Sequence, residues 1–86
     1  MTGDTAARVL AQEGLRHIED AILMVLDSHP DGLRNSQIAD LLGLRSSILD
    51  GQRNYLTYSV QGGLMAGGEV AQNRETKVFS KVEATR

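Results

Sequence analysis

The sequence of 86 residues contains no cysteine and no tryptophan, a single proline, one phenylalanine and two tyrosines. Without cysteine the chain can form no disulfide, no thiolate metal site and no cysteine nucleophile. So few aromatic residues predict a core of aliphatic side chains, which suits helices packed on a small sheet better than a β-sandwich. The length predicts one domain, near the lower size at which a chain buries enough surface to fold alone.

Long hydrophobic runs and catalytic motifs are also absent. No apolar run approaches the roughly 20 residues that a membrane span needs, and the start MTGDTAAR lacks the basic and apolar regions of a signal peptide. The chain has no HExxH spacing, no recognisable Ser-His-Asp arrangement and no glycine-rich phosphate loop after a strand. We therefore expect a cytoplasmic protein that is not an enzyme and uses no membrane, cofactor or metal.

The charges are distributed unevenly around a formal net charge of -2. The first 32 residues carry two arginines against six acidic residues, whereas residues 33–86 carry seven basic residues against five acidic ones. Any attraction to a polyanion should therefore come from the second part of the chain. Because the excess is small, non-specific affinity for nucleic acid should be poor at physiological salt.

The first helix signal is an aliphatic stripe at steps of three and four residues, made by Leu15, Ile18, Ile22, Val25 and Leu26. It predicts a core helix that stops at the turn-forming residues 29–32, His-Pro-Asp-Gly.

Further apolar residues lie outside this stripe, at Ala21, Leu23 and Met24. Residues 1–13 form an extension that could be helical, and its apolar members are Ala6, Ala7, Val9 and Leu10. Two interpretations remain open: the extension forms a homodimer contact, or Val9 and Leu10 fold back on Leu23 or Met24 within one chain.

A second, shorter helix is predicted over residues 36–42, with Asn35 as its N-cap and Gly43 as its left-handed end. Leu33 and Arg34 have room only for a short extended segment before it. The connection that follows leaves the start of the third helix open. Ser47 begins a capping-box pattern, and Asp50 is an equally good cap.

The third helix, about residues 52–65, separates its side chains into two faces. The apolar face contains Leu56, Val60, Gly63 and Leu64. The polar face contains Arg53, Asn54, Thr57, Tyr58 and Gln61. Gly62 and Gly63 predict close packing on the first helix or a softened helix end. Residues 69–72 and 76–80 then predict an antiparallel hairpin with a turn at 73–75, and Leu33–Arg34 could form its third strand.

This order of elements over residues 14–82, with 83–86 as a tail, resembles the winged helix-turn-helix family. The resemblance implies a small α+β fold with a three-helix core and a C-terminal β-hairpin wing. The core expected for such a fold consists of Ile18, Ile22, Val25, Ile38, Leu41, Leu42, Leu56, Val60 and Leu64.

The resemblance also implies sequence-specific binding to double-stranded DNA, as a small transcriptional regulator or a DNA-targeting module. In that family the third helix enters the major groove, which makes base contacts of Arg53, Asn54, Thr57, Tyr58 and Gln61. Contacts to the DNA backbone would come from Ser36, Gln37, Arg45, Ser46, Ser47, Arg74 and Lys77.

Two other interpretations of the polar face remain open. It could be the solvated side of an amphipathic helix, or the contact surface of a winged-helix protein-protein interaction domain. Its composition favours a binding role, because solvated faces are usually rich in Glu and Lys whereas residues 52–68 contain no acidic residue.

Overall fold

The computed structural model describes residues 3–44 and 55–82. These residues form three helices, α1 (Gly3–Asp27), α2 (Asn35–Leu42) and α3 (Tyr55–Ala66), and three short strands, β1 (Leu33–Arg34), β2 (Val70–Gln72) and β3 (Val78–Lys81). In chain order the elements are α1, β1, α2, α3, β2 and β3. The result is a small α+β fold.

The three strands form one antiparallel sheet in the order β1-β3-β2. The central strand, β3, places Phe79 opposite Leu33 of β1 on one side and opposite Gln72 of β2 on the other. The predicted hairpin and its short third strand are therefore confirmed. Phe79 lies at the centre of the sheet and is almost completely buried.

The core is aliphatic except for that phenylalanine. Of the predicted core residues, Ile22, Ile38, Val60 and Leu64 are buried, and three more, Ile18, Val25 and Leu42, are partly buried against them. The remaining buried hydrophobic residues are Leu26, Leu33, Ala39, Val70 and Phe79. The core thus joins all three helices to all three strands.

The prediction that Leu41 and Leu56 belong to the core is wrong. Leu41 is 57% exposed and Leu56 is 45% exposed. In α2 the buried side runs through Ile38 and the small residue Ala39, which turns Leu41 towards solvent. In α3 the buried side includes the polar residues Thr57 and Gln61. Leu56 therefore lies at the edge of this side.

The caps of α2 differ in part from expectation. Arg34, and not Asn35, is the N-cap residue, and Asn35 is the first residue of the helix. The Arg34 backbone N–H donates to Oε1 of Gln37 over 2.8 Å, which satisfies one backbone donor outside the first turn. Gly43 has the expected left-handed conformation, with φ 69°, at the end of the helix.

The N-terminal extension is helical and is continuous with the core helix, so that α1 runs without interruption for 25 residues. At about 1.5 Å per residue, Val9 and Leu10 lie about 20 Å from Leu23 and Met24 along the same helix. The fold-back interpretation is therefore wrong. The extension projects from the body, because every residue from 3 to 17 is exposed.

The fold is more extended than a compact domain of the same length. The radius of gyration is 14.2 Å, whereas a compact chain of this length has about 12 Å. Within residues 3–44 and 55–82, no helix combines the length and the apolarity needed to cross a bilayer.

Candidate nucleic-acid interface

The third helix is rotated relative to the orientation predicted from the sequence. Its buried side consists of Thr57, Val60, Gln61 and Leu64, which recur at helical spacing. Thr57 and Gln61 have no exposed surface, so their assignment as base contacts is wrong. The physical reason is that polar side chains can occupy a helix-helix contact when they are hydrogen-bonded there.

Gln61 shows how this burial is stabilised. Its Nε2 group donates to Oδ1 of Asn35 at the start of α2, over 2.6 Å. Its other amide atom, Oε1, is buried and has no hydrogen-bond donor among the described residues. The hydrogen bond joins α3 to the first residue of α2.

We expect the Asn35–Gln61 pair to contribute to stability. Asn35→Ala removes the acceptor and leaves the buried Gln61 amide without its partner, which should cost about 1–3 kcal/mol. The double variant Asn35→Ala/Gln61→Met should recover part of that loss, because no amide then remains buried. Urea unfolding of the three proteins measures both effects. A double variant that is less stable than Asn35→Ala would contradict this role of Gln61.

The side of α3 that faces solvent is formed by small and neutral residues. Tyr58, as expected, is exposed; Ser59, Gly62 and Gly63 are exposed beside it. A Cβ atom built on either glycine would meet no atom of the described residues within 4 Å. The prediction that these glycines allow close packing on the first helix is therefore wrong. Each costs helix stability, about 1 kcal/mol relative to alanine, and leaves room for a close approach from outside.

The turn between β2 and β3 is held by the side chain of Asn73. Its Oδ1 accepts from the backbone N–H of Glu75 at 2.9 Å and from that of Thr76 at 3.1 Å. The Lys77 backbone N–H donates to the Asn73 carbonyl oxygen at 2.7 Å. The predicted turn residues 73–75 are thus confirmed, and the turn presents Arg74 and Lys77 to solvent.

Lys77 has an unusual backbone conformation. Its φ is 66°, and it is the only residue other than glycine with a positive φ among the described ones. The left-handed region costs an L-residue about 1–2 kcal/mol, a cost that glycine avoids. Here the conformation belongs to the tight turn that the Asn73 side chain holds.

Two other predicted DNA-backbone contacts, Ser36 and Gln37, belong to the start of α2. Ser36 is half-buried in the first turn of α2, and Gln37 is exposed, with its side-chain oxygen engaged by the Arg34 N–H. Five predicted site residues lie outside the described ranges: Arg45, Ser46, Ser47, Arg53 and Asn54.

Charge on the described part of this surface is nearly balanced. The described length of α3 carries no charged side chain. The hairpin contributes Arg74 and Lys77 against Glu69 and Glu75, while Nζ of Lys81 lies 3.3 Å from the Asp27 carboxylate. In the described ranges no group of His, Asp or Glu side chains could hold a metal ion.

Ser59 and Gly62 lie at the centre of the exposed side of α3, although the sequence analysis did not assign them to the site. No local pattern indicates their position, because it depends on the burial of Gln61 against Asn35, 26 positions earlier. Comparisons with family models, curated proteins and solved structures gave no match to this chain.

Proposed function

We propose that this chain is a winged helix-turn-helix module that binds double-stranded DNA, with the outer side of α3 in the major groove and the β2–β3 turn, its wing, on the backbone. The observation that carries the proposal is the order α1-β1-α2-α3-β2-β3 together with the strand order β1-β3-β2. This arrangement brings a helix pair and a projecting hairpin together in one small domain, as winged-helix proteins do.

The wing supports the proposal through its side chains. Arg74 and Lys77 are exposed, and the Asn73 side chain holds the turn that presents them. Cations fixed in this way can contact phosphate groups without a large loss of backbone entropy on binding. The exposed Lys77 ammonium group can then contact a phosphate of the DNA backbone.

The outer side of α3 supports the proposal through its shape. Ser59, Gly62 and Gly63 allow close approach to base edges, with Tyr58 beside them. Arg53 and Asn54, which precede α3 in the sequence, remain proposed base contacts, because arginine pairs with guanine and asparagine with adenine in a bidentate manner. The proposed base contacts therefore exclude Thr57 and Gln61, which are buried.

Selection of bound duplexes from a random DNA pool tests the proposal. At about 50 mM salt we expect one short motif to be enriched, and at about 200 mM salt weaker retention of the same motif, because phosphate contacts release counterions. Retention without a motif would indicate only electrostatic attraction and would contradict base reading. If nothing is retained at the lower salt, the DNA proposal is wrong.

Substitutions of Lys77 should have opposite effects on the stability of the fold and on its binding to DNA. Lys77→Gly should raise the free energy of unfolding by about 1 kcal/mol, because glycine adopts the left-handed conformation without strain. The same change should weaken binding to all duplexes alike and lower the salt slope by about one unit. Lys77→Asn tolerates the conformation and serves as a second uncharged variant, whereas Lys77→Arg should keep the affinity. Unchanged binding by both uncharged variants would exclude a wing contact.

A second candidate function, a protein-binding winged helix, is favoured by the neutral character of α3. Leu56, Tyr58 and Met65 are all partly exposed on a helix segment without charge. Such residues suit the centre of a protein interface. This candidate predicts no enrichment of DNA at low salt, together with loss of partner binding in Tyr58→Ala.

A further inference from the structure

The projecting half of α1 has no packing partner within the described residues. Residues 3–17 are exposed throughout, although isolated helices of about 12–15 residues are only marginally stable in water. Gly14 weakens this segment further, and a Cβ atom at that position would meet nothing within 4 Å among the described residues. No contact among residues 3–44 and 55–82 therefore accounts for a glycine there. A second helix that approaches closely would account for it.

One side of α1 carries a continuous repeat at alternating steps of three and four residues. We call it the α1 seam: Ala7, Leu10, Gly14, His17, Ala21 and Met24. Leu10 is 69% exposed and Met24 is 71% exposed, so the largest apolar members face solvent. The 3.5-residue period is the one that keeps two helices in contact along their length.

The α1 seam is complementary in shape to the same seam on a second copy of α1 that runs in the opposite direction. Small and large residues alternate along it: Ala7, Gly14 and Ala21 are small, whereas Leu10, His17 and Met24 are large. When two copies of α1 run antiparallel, Ala7 lies opposite Met24 of the partner subunit and Gly14 opposite His17 of the partner subunit. Ala21 then lies opposite Leu10 of the partner subunit. A parallel pair would place large residues against large ones and leave gaps at Gly14.

We propose that this chain forms a two-fold symmetric dimer through antiparallel packing of the α1 seam. The seam spans 18 residues, about 27 Å of helix, and uses no residue of α3 or of the β2–β3 turn. A single helix pair buries little area, so we expect a dissociation constant on the order of micromolar.

Two acidic residues beside the seam set the salt dependence of this dimer. Glu13 and Asp20 each precede a small seam residue, on the same side of the helix. In the antiparallel pair Glu13 lies near Asp20 of the partner subunit, and the like charges repel; Arg16, one turn from each of them within its own chain, offsets part of this repulsion. The dimer should therefore tighten as salt rises. DNA binding should show the opposite trend.

Sedimentation of the intact chain between about 1 and 100 µM, a range that spans the expected constant, tests the proposal. We expect a monomer-dimer equilibrium that Gly14→Leu abolishes without lowering the thermal midpoint of the dilute monomer, because the site is open within one chain. Gln12→Leu adds an apolar side chain on another side of the helix and should leave the equilibrium unchanged. A monomer throughout the range, or a dimer that survives Gly14→Leu, would overturn the proposal.

Glu13→Lys tests the antiparallel orientation. It replaces two repulsive pairs with two attractive ones and should tighten the dimer about tenfold. Gln12→Lys, which adds a lysine away from the seam, should not tighten it. If Glu13→Lys leaves the dissociation constant unchanged, the antiparallel seam is wrong.

Discussion

Phe79→Ala is expected to remove a large part of the stability of this domain, about 3–5 kcal/mol. Phe79 is 1% exposed and belongs to the central strand, between Leu33 of β1 and Gln72 of β2. The other members of the described core are aliphatic, and their rearrangement fills only part of the cavity that the change creates. For comparison, a domain of 86 residues is stable by roughly 4–13 kcal/mol in total.

Urea unfolding followed by circular dichroism measures this loss. Val78→Ala is the matched control, because Val78 precedes Phe79 on the same strand and is only half-buried; its cost should be about 1 kcal/mol. Phe79→Leu should fall between the two. A loss of less than 1 kcal/mol for Phe79→Ala would show that the sheet does not close over the core as described.

Gly32→Ala should be nearly as damaging, with a loss of about 2–4 kcal/mol. Gly32 has φ 85° and joins the end of α1 to β1. A Cβ atom there would overlap the Val78 side chain and would lie 2.5 Å from the Phe79 carbonyl oxygen. The backbone of a paired strand cannot move away without losing its hydrogen bonds, so strain and overlap add together.

Gly68→Ala separates the cost of backbone strain from the cost of steric overlap. Gly68 also has a positive φ, 79°, but a Cβ atom there would meet nothing within 4 Å in the described parts of the chain. It should therefore cost only the conformational strain, about 1–2 kcal/mol. Equal losses from the two alanine variants in thermal unfolding would mean that Gly32 is not in close contact with β3.

Much of the fold could be predicted because its main signals are local. The aliphatic spacing of Ile18, Ile22 and Leu26 repeats at the helical period, and the sequence from residue 29 to 32 supplies a stop. The hairpin was equally clear, since Asn73 is suited to a turn between two short apolar segments. Each of these features depends on residues close together in the chain.

The orientation of α3 could not be predicted because it depends on a distant partner. Gln61 is buried only because Asn35, 26 positions earlier, accepts its hydrogen bond. Helical periodicity alone treats threonine and glutamine as solvent-facing, so it predicts the wrong buried side for α3. It therefore places Leu56 in the core and Thr57 in the binding site. Similarly, Ala39 is buried in α2 although its small side chain gives only a weak hydrophobic signal in the sequence.

The position of the β2–β3 turn could be predicted from the sequence, but its conformation could not. The charge of Arg74 and Lys77 and their place in the hairpin predict only that they lie at this turn. The left-handed conformation of Lys77 has no sequence signal, because that position usually contains glycine or asparagine. It follows from the geometry of the turn that Asn73 holds.

The proposed binding mode and the proposed dimer use different parts of the molecule. Binding uses the outer side of α3 and the β2–β3 turn, while dimerisation uses the α1 seam. A two-fold dimer would present two such modules and double the length of DNA that is read. The opposite salt dependences of the two associations allow each to be measured separately.

The most direct test of the central claim is a titration of the isotopically labelled chain with duplex DNA, followed through its backbone amide resonances. DNA binding through α3 and the wing predicts shifts of Tyr58, Ser59 and Gly62 and of residues 74–77, with residues 3–17 of α1 unaffected at a fixed oligomeric state. Shifts confined to α1, or no shifts at low salt with excess duplex, would contradict it.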